Sequence, residues 1–431
     1  MISNIFFFFS FFFILGIFSK YYFSLWFILA PLILILFLRY KFLAIIFCLA
    51  FLLGGGYLVV YQNFKSKSSD DSIVISRELP STNYFKKYLG EFKGKNYFIY
   101  LPYYYDKLYP QDKINAVFTM VEDRIFIQDL FGVKKSIYYP IYKFRDYINS
   151  LIDKNYSLAT SEIIGGILYG REINDKDIRE NLRKSGLSHI TAMSGYNLIV
   201  LSLFINRLFK FLPVSFLINN IFTILIILIF IVFTGFQSSV IRAGIMMVVF
   251  ITSKLIGKPS LRRNVIIFTA LLITFFNPLA LINDLGFQLS LLATIGIIYF
   301  EEFLRNFLKF KFLSETISAQ ILVLPLIWYK FSEFNIFSFF NNALIISFIP
   351  FMMLLGFLAI LFYFFYPVNQ IFNLPFLIFL KLIGYLANFP KIYFPLPLLI
   401  IIAIYFFIFL LIFKINRNEN IDFNFKLNNH Y

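Results

Sequence analysis

The chain has 431 residues, of which 60% are hydrophobic and only 14% charged, with 39 Lys and Arg against 23 Asp and Glu for a formal net charge of +16. Soluble domains carry about 25% charged residues, so this composition excludes an ordinary soluble protein. Long Phe/Ile/Leu blocks broken by short charged islands are the pattern of repeated membrane spans. Cys48 is the single cysteine, and His189 and His430 are the two histidines. That rules out an intrachain disulfide framework, argues against a histidine-rich metal site, and leaves no metal or cofactor expected. The basic balance fits nucleic acid or anionic lipid as partner, and equally the basic cytoplasmic loops of any multispanning protein.

Met1 to Phe18 is apolar, without a basic start or a small-residue cleavage site before Lys20, and reads as a retained first span. Apolar runs at about 4–18, 22–38 and 42–60 open the chain, giving an N-terminal span region over 1–60. From 61 to 156 charged and turn residues recur every few positions. Short β-rich stretches at Ile73–Ser76, Asn96–Leu101, Lys113–Met120, Ile125–Ile127 and Lys135–Ile141 alternate with Gly94, Pro102, Pro110 and Pro140. A small β-barrel is the expected fold there. Residues 157–187 predict two short interfacial amphipathic helices, the second capped by Asn174, with Lys176, Arg179 and Arg183 together on one face.

Spans resume near 188–206, 216–234, 240–256, 264–281, 285–300, 315–330, 337–363, 371–388 and 396–413, ahead of a tail over 414–431. Pro350 interrupts the longest of them. The fold class expected is a polytopic α-helical membrane protein of about twelve spans with a small extracytoplasmic β domain. With the N-terminus cytoplasmic, the inside loops carry Arg39 and Lys41, Arg207 and Lys210, Lys258 with Arg262 and Arg263, Arg305 with Lys309 and Lys311, and Lys414 with Arg417. The short outside loops offer little beyond Lys20, Lys330 and Lys391, so the positive-inside rule puts both termini in the cytoplasm and the β domain outside.

The stretch from Leu182 to Asn197 packs Ser188, His189, Ser194, Gly195 and Asn197 into the first turns of a span. Polar groups at membrane depth face a bundle interior or a wet cavity, while Ser and Gly also permit close helix packing. Gly186-Leu187-Ser188-His189 followed by Ala192-Met193-Ser194-Gly195 resembles the signature of the ComEC type of competence DNA-uptake channel. The resemblance continues in order through Thr234-Gly235-Phe236, Arg242–Met246, Phe276–Ala280 with Asp284–Ser290, Ala319-Gln320 with Leu324-Pro325, and Phe340-Asn341-Asn342, over roughly 160–365. It implies a competence membrane domain over 188–413 and an OB-like domain outside. Tyr109–Ile114 is similar to the Gly-Asp strand entry of that domain, with Gln111 where Gly is usual. Asn197 stands where the family often has a second His, which weakens a paired-histidine site. The His-x-His-x-Asp-His signature of the family's metallo-β-lactamase-like nuclease does not occur in this sequence, so any degradation of DNA would fall to a separate nuclease.

The implied function is translocation of single-stranded DNA across the bacterial cytoplasmic membrane. Ser188, His189, Ser194, Asn197, Arg242, Gln288, Asn341 and Asn342 are the candidate pathway residues. Arg242 equally fits snorkelling to headgroups. Capture falls to Lys86, Lys87, Lys93 and Lys95 among Tyr84, Phe85, Tyr88, Phe92, Tyr97 and Tyr100, because cations beside aromatic faces suit a single strand. The same residues also suit a barrel with an aromatic core and solvated lysines. Lys176, Arg179 and Arg183 are candidate guides at the mouth. No Gly-x-x-x-x-Gly-Lys pattern occurs, so the resemblance implies a separate cytoplasmic translocase motor, together with outer DNA-binding and pilus components. An intramembrane Ser/His hydrolase is disfavoured, since adjacent Ser188 and His189 diverge by about 100° on a helix, and no enzyme activity is expected. A transporter or flippase of small or lipidic solutes on the same fold is the alternative.

Overall fold

The computed structural model describes residues 2–22, 48–60, 72–81, 84–93, 95–191, 195–209, 214–257, 262–308, 311–334, 337–389, 392–408 and 410–412. The second apolar run at 22–38, the tail over 414–431 and Ser194 lie essentially outside these residues. The chain divides into two compact units, 1–179 with 189–283 and 350–379, and 180–188 with 284–349 and 380–431.

In the first unit, α1 (Ile2–Tyr22) and α2 (Cys48–Val60) cross closely. A Cβ on Gly16 would collide with the carbonyl of Phe51, and one on Gly54 with that of Phe13, so glycine lets the two backbones touch. Five strands follow: β1 (Ile73–Leu79), β2 (Phe85–Phe92), β3 (Lys95–Pro102), β4 (Lys113–Val121) and β5 (Arg124–Lys134). Their order is β1-β2-β3-β5-β4, and the sheet closes on itself through Ile73 opposite Ile114 and Val74 opposite Lys113. β3 and β5 run parallel, with Tyr100 opposite Phe126; the other neighbours are antiparallel. Period-2 alternation sends Ile73, Ile75, Tyr88, Ile99, Leu101, Ile114 and Ile125 inward to a common core. Buried Asp112 ties the β4 entry: its carboxylate accepts from Tyr109 N at 2.9 Å and Ser136 N at 2.8 Å. Gln111 beside it holds φ +67, the left-handed region where glycine is at home.

The stretch Lys135–Ile141 is not β. It is a turn leading into α3 (Tyr139–Asn155), because Pro140 sits in the first helical turn and Tyr142, Leu151 and Ile152 recur on one buried face. The sheet docks on α3. Tyr109 stacks on Tyr142 with centroids 5.7 Å apart, and its hydroxyl donates to Asp146 at 2.6 Å. Burial, then that carboxylate, pushes the Tyr109 phenol pKa well up. Lys107 bridges Glu78 at 2.9 Å and Asp146 at 3.4 Å.

Next come α4 (Leu158–Tyr169), α5 (Lys176–Ser185), the single-turn α6 (Ser188–Thr191), α7 (Gly195–Phe209), α8 (Phe216–Phe233), α9 (Ser238–Leu255), α10 (Arg262–Phe276) and α11 (Ala280–Asn283). α4 departs from the surface helix expected of it: every residue from Thr160 to Ile167 is buried. In the second unit α12 (Leu285–Leu308) and α13 (Lys311–Phe331) form a hairpin in which Gly296 lets the Ser318 carbonyl approach. A two-residue ladder pairs β6 (Glu333–Phe334) with β7 (Ile392–Tyr393). α16 (Leu398–Ile412) packs Ile408 with Phe300 and Leu322, and Tyr405 OH donates to Leu322 O at 2.8 Å. α14 (Ser338–Leu361) and α15 (Tyr366–Ala387) each contribute to both units.

Five described helices are long and apolar enough to cross a membrane: 216–233, 238–255, 285–308, 340–361 and 369–387. On α8 the outward side chains are Phe216, Leu217, Ile221, Phe222, Leu225, Leu228 and Ile229, all exposed. A surface this apolar is stable only against lipid. The protein is a helical membrane protein carrying a small sheet domain.

Candidate functional site

The polar residues singled out by sequence fall into three groups. The first surrounds the short helices between the sheet and the spans. Ser157 caps α4, accepting from Thr160 N, and Gly170 ends it in the left-handed conformation at φ +70. Glu162 is fully buried. Its two carboxylate oxygens accept from Asn174 N at 3.0 Å and Asp175 N at 3.1 Å. Asp175, not Asn174, caps α5, because its Oδ1 accepts from Asp177 N at 2.9 Å and Ile178 N at 3.0 Å. Arg171 holds the connecting loop by a bidentate pair to Asp153 at 2.7 and 3.0 Å, and Gln237 donates to Gly170 O at 2.9 Å.

α5 displays Lys176, Arg179 and Arg183, all exposed. Arg183 is already engaged: Nε and Nη2 donate to Glu180 at 3.0 and 2.9 Å, with Lys184 Nζ 3.6 Å from the same carboxylate. The Arg183 hydrogen bond leads the effects that pull Glu180 down to about 2.

The second group is the candidate pathway. Ser188 and His189 are exposed on the single turn α6, which follows Gly186 at φ +76. Asn197 is buried and donates from Nδ2 to Ile167 O at 2.9 Å. That carbonyl is among those a helix leaves unpaired in its last turn, so Asn197 caps the C-terminus of α4. Asn341 does the same for α5 in the second unit, donating to Ser185 O at 3.0 Å. Both are among the residues expected to line a route, and each uses an amide donor at a helix end. Neighbouring Asn342 differs: its Oδ1 is buried and accepts from no described residue. Arg242 is buried near the start of α9. Gln288 is half-buried in the first turn of α12, behind Asp284, which caps that helix through Phe287 N at 3.0 Å. His189, Asn197 and Arg242 belong to the first unit, and Ser188, Gln288, Asn341 and Asn342 to the second.

The third group lies on the outer face of the sheet. Lys87 Nζ sits 4.7 Å from the Phe98 ring centroid and 5.3 Å from that of Tyr100. Tyr100 stacks on Phe126 at 4.7 Å, and Phe85 meets both edge-on at 6.2 Å. Tyr88 and Phe92, named with them by sequence, are core residues instead. Lys86 points to the opposite face from Lys87, as adjacent strand residues must, where it bonds Tyr105 O. Lys93 stands 5.2 Å from its neighbour Phe92, and Lys95 is exposed. Phe98 and Phe126 were missed. Only the parallel β3–β5 pairing brings Phe126 to Tyr100, a contact no local pattern signals. Among the described residues no cluster of three or more His, Cys, Asp or Glu gathers in a metal-binding arrangement.

The profile of the Competence protein family matches residues 169–418, more than half of the chain. The chain belongs to the Competence protein family. The matched region opens at the last residue of α4, so it takes in the Asn197 and Asn341 caps, Arg242 and Gln288. The chain is also similar to ComE operon protein 3 of Bacillus subtilis (strain 168), at 24% identity over 226 residues. That alignment covers 51% of this chain and 29% of the relative, so well under two thirds of the relative's length is represented. No solved structure matches the chain.

Proposed function

We infer that this Competence-family protein is a channel subunit that carries single-stranded DNA across the bacterial cytoplasmic membrane, with the sheet domain outside as an OB-like barrel, both termini inside, and about twelve spans in all. The observation that carries the reading is the family match over the helical region that begins at the polar α4–α7 junction. A polyanion needs a hydrated route, because phosphates stripped of water in hydrocarbon are costly. Ser188, His189, Gln288, Asn342 and Arg242 are the polar residues this reading assigns to such a route, on the strength of the family's motifs in the sequence. Asn197 and Asn341 support it by fixing α4 and α5.

Capture falls to the Lys87, Phe98, Tyr100, Phe126 and Phe85 surface, where stacked rings beside a cation offer bases a platform and phosphates a counter-charge. Base–aromatic stacking is worth about 1–3 kcal/mol per base, so Phe126→Ala should weaken single-strand binding roughly 5- to 150-fold. The protein does no chemistry on the strand in this reading. A cytoplasmic motor and outer DNA-binding and pilus components act with it.

The test follows labelled DNA in a transformable host, scoring surface-bound and cytoplasmic label separately in the His189→Ala and Arg242→Ala variants. The expected result is surface DNA accumulating while entry is lost. Uptake that is untouched while another solute's flux changes would replace this reading with that of a transporter or flippase on the same fold.

A further inference from the structure

The α8–α9 turn carries the sheet domain. A Cβ on Gly235, itself at φ +76, would lie 3.3 Å from Pro110 Cγ and 3.5 Å from Arg145 Nη1. Tyr138 packs edge-on against Phe236 at 5.2 Å. Phe144 approaches Phe233 at 6.4 Å, and Arg145 Nη1 donates to Phe233 O at 3.3 Å, capping the end of α8. α8 has 18 residues, which at about 1.5 Å per residue span roughly 27 Å, close to the hydrocarbon thickness of a bilayer. With the outward face of α8 against lipid and its other face packed on Leu198, Val240 and Ile251, a helix of this length puts Phe233 near the level where hydrocarbon gives way to headgroups.

At that level the α3 segment leaves large apolar side chains uncovered. Ile137 is 86% exposed, Phe144 57% and Tyr147 53%. They are flanked by Lys134 and Lys143, both exposed. Between 134 and 147 the cations Lys134, Lys135, Lys143 and Arg145, of which Lys135 lies 3.9 Å from Asp112, accompany a single carboxylate within the segment, Asp146. That carboxylate is already bound by Tyr109 and Lys107. Aromatic and aliphatic side chains among surplus cations at a span end are the chemistry of an interfacial membrane anchor.

We propose that residues 134–147 form a lipid-binding foot. Ile137 and Phe144 enter the interfacial layer of the leaflet on the sheet domain's side, while Lys134 and Lys143 bind anionic phospholipid headgroups. The occupant is the bilayer because the patch continues the lipid-facing surface of α8 through the Phe144–Phe233 contact, and because its charge complements an anionic headgroup. The foot fixes the height and tilt of the sheet above the membrane, since α3 grips the sheet through Tyr109, Lys107 and Asp146.

The test uses the full chain in nanodiscs of phosphatidylcholine, with and without phosphatidylglycerol. The two native tryptophans are replaced (Trp26→Phe, Trp328→Phe), and a single tryptophan is introduced by Ile137→Trp or, separately, Phe144→Trp. Both positions are exposed, so the fold accommodates either indole, and each reads the contact independently. The expected result is emission lowered about twofold by lipids brominated on their acyl chains, the loss deepening with phosphatidylglycerol. Lys134→Glu with Lys143→Glu should abolish the deepening. Equal emission in brominated and plain lipid, with full quenching by aqueous acrylamide, would overturn the proposal. So would quenching that appears only when a single-stranded oligonucleotide is added, which would make the patch a nucleic-acid surface.

Discussion

Glu162→Ala is the perturbation that most sharply tests how the α4–α5 junction is built. The carboxylate is fully buried and serves two backbone donors, Asn174 N and Asp175 N, at 3.0 and 3.1 Å. Hydrogen bonds to charged groups contribute about 1.5–3 kcal/mol each. Asn174 is exposed and Asp175 half-exposed, so water replaces part of what is lost, and the lower end of the range applies. Two bonds at that end give roughly 3 kcal/mol, or on the order of a 10²-fold shift in a local opening equilibrium. Glu162→Gln keeps one acceptor but turns an amide N–H toward a backbone N–H, and should recover less than half of the loss. The assay is amide hydrogen exchange over residues 174–178 in nanodiscs, with the exposed Glu180→Gln as control. Exchange should accelerate on the order of 10²-fold at those amides in Glu162→Ala, to a lesser extent in Glu162→Gln, and not in the control. Acceleration below about threefold in Glu162→Ala would refute the assignment of this carboxylate as the clasp of the junction.

Further outcomes follow from the same geometry. Asn197→Leu and Asn341→Leu each preserve volume but strip a donor from a buried helix-end carbonyl, at a cost of about 1–3 kcal/mol. Thermal unfolding in detergent should show both less stable than the parent, and an unchanged midpoint in either would remove that capping role. Gln111→Gly relieves a left-handed non-glycine residue worth about 1–2 kcal/mol while adding backbone entropy of about 0.5–1 kcal/mol. It should therefore raise the melting midpoint of the sheet domain slightly, whereas Gln111→Val should lower it; the reverse order would mean that the side chain makes a compensating contact.

Much of this is legible in the sequence. The alternation of Ile73, Ile75, Ile99, Leu101 and Ile114 announces strands with one buried face, and the long apolar runs announce helices in lipid. The turn to α3 was misread because Lys135–Ile141 is rich in β-branched and aromatic residues, and the period that matters begins only after Pro140. The burial of α4 was hidden for a different reason. Its polar residues Thr160, Ser161 and Glu162 look like a wet face, yet each bonds to nearby backbone or side chain, so the face closes on itself. The aromatic platform was half visible, since Lys87 and Tyr100 are both named from the sequence, but their pairing across β2 and β3 and the arrival of Phe126 by a parallel pairing of distant strands are not.

The two asparagines change how the family's polar signature is to be understood. A short helix embedded among others exposes its last carbonyls where no water reaches them, and a buried unpaired carbonyl costs about as much as a hydrogen bond gains. α4 has 12 residues and α5 has 10, so unpaired termini make up a large part of each. A donor supplied from another helix is the economical remedy, and an asparagine amide has the reach and the two N–H groups to provide it. Asn197 meets that need at Ile167 and Asn341 at Ser185. On the proposed function, the residues left to wet a route are a different set. Asn342 keeps a buried acceptor that no described residue uses, and Ser188 and His189 present their side chains outward from a single turn. If the caps are scaffold and these are the wetted residues, Asn342→Leu should lower DNA entry while leaving stability within about 1 kcal/mol of the parent, since it strips no partner from a described group. Asn341→Leu, one residue away, should lower both. Loss of transport alone at one asparagine, and of transport together with stability at its neighbour, separates a pore wall from a helix cap.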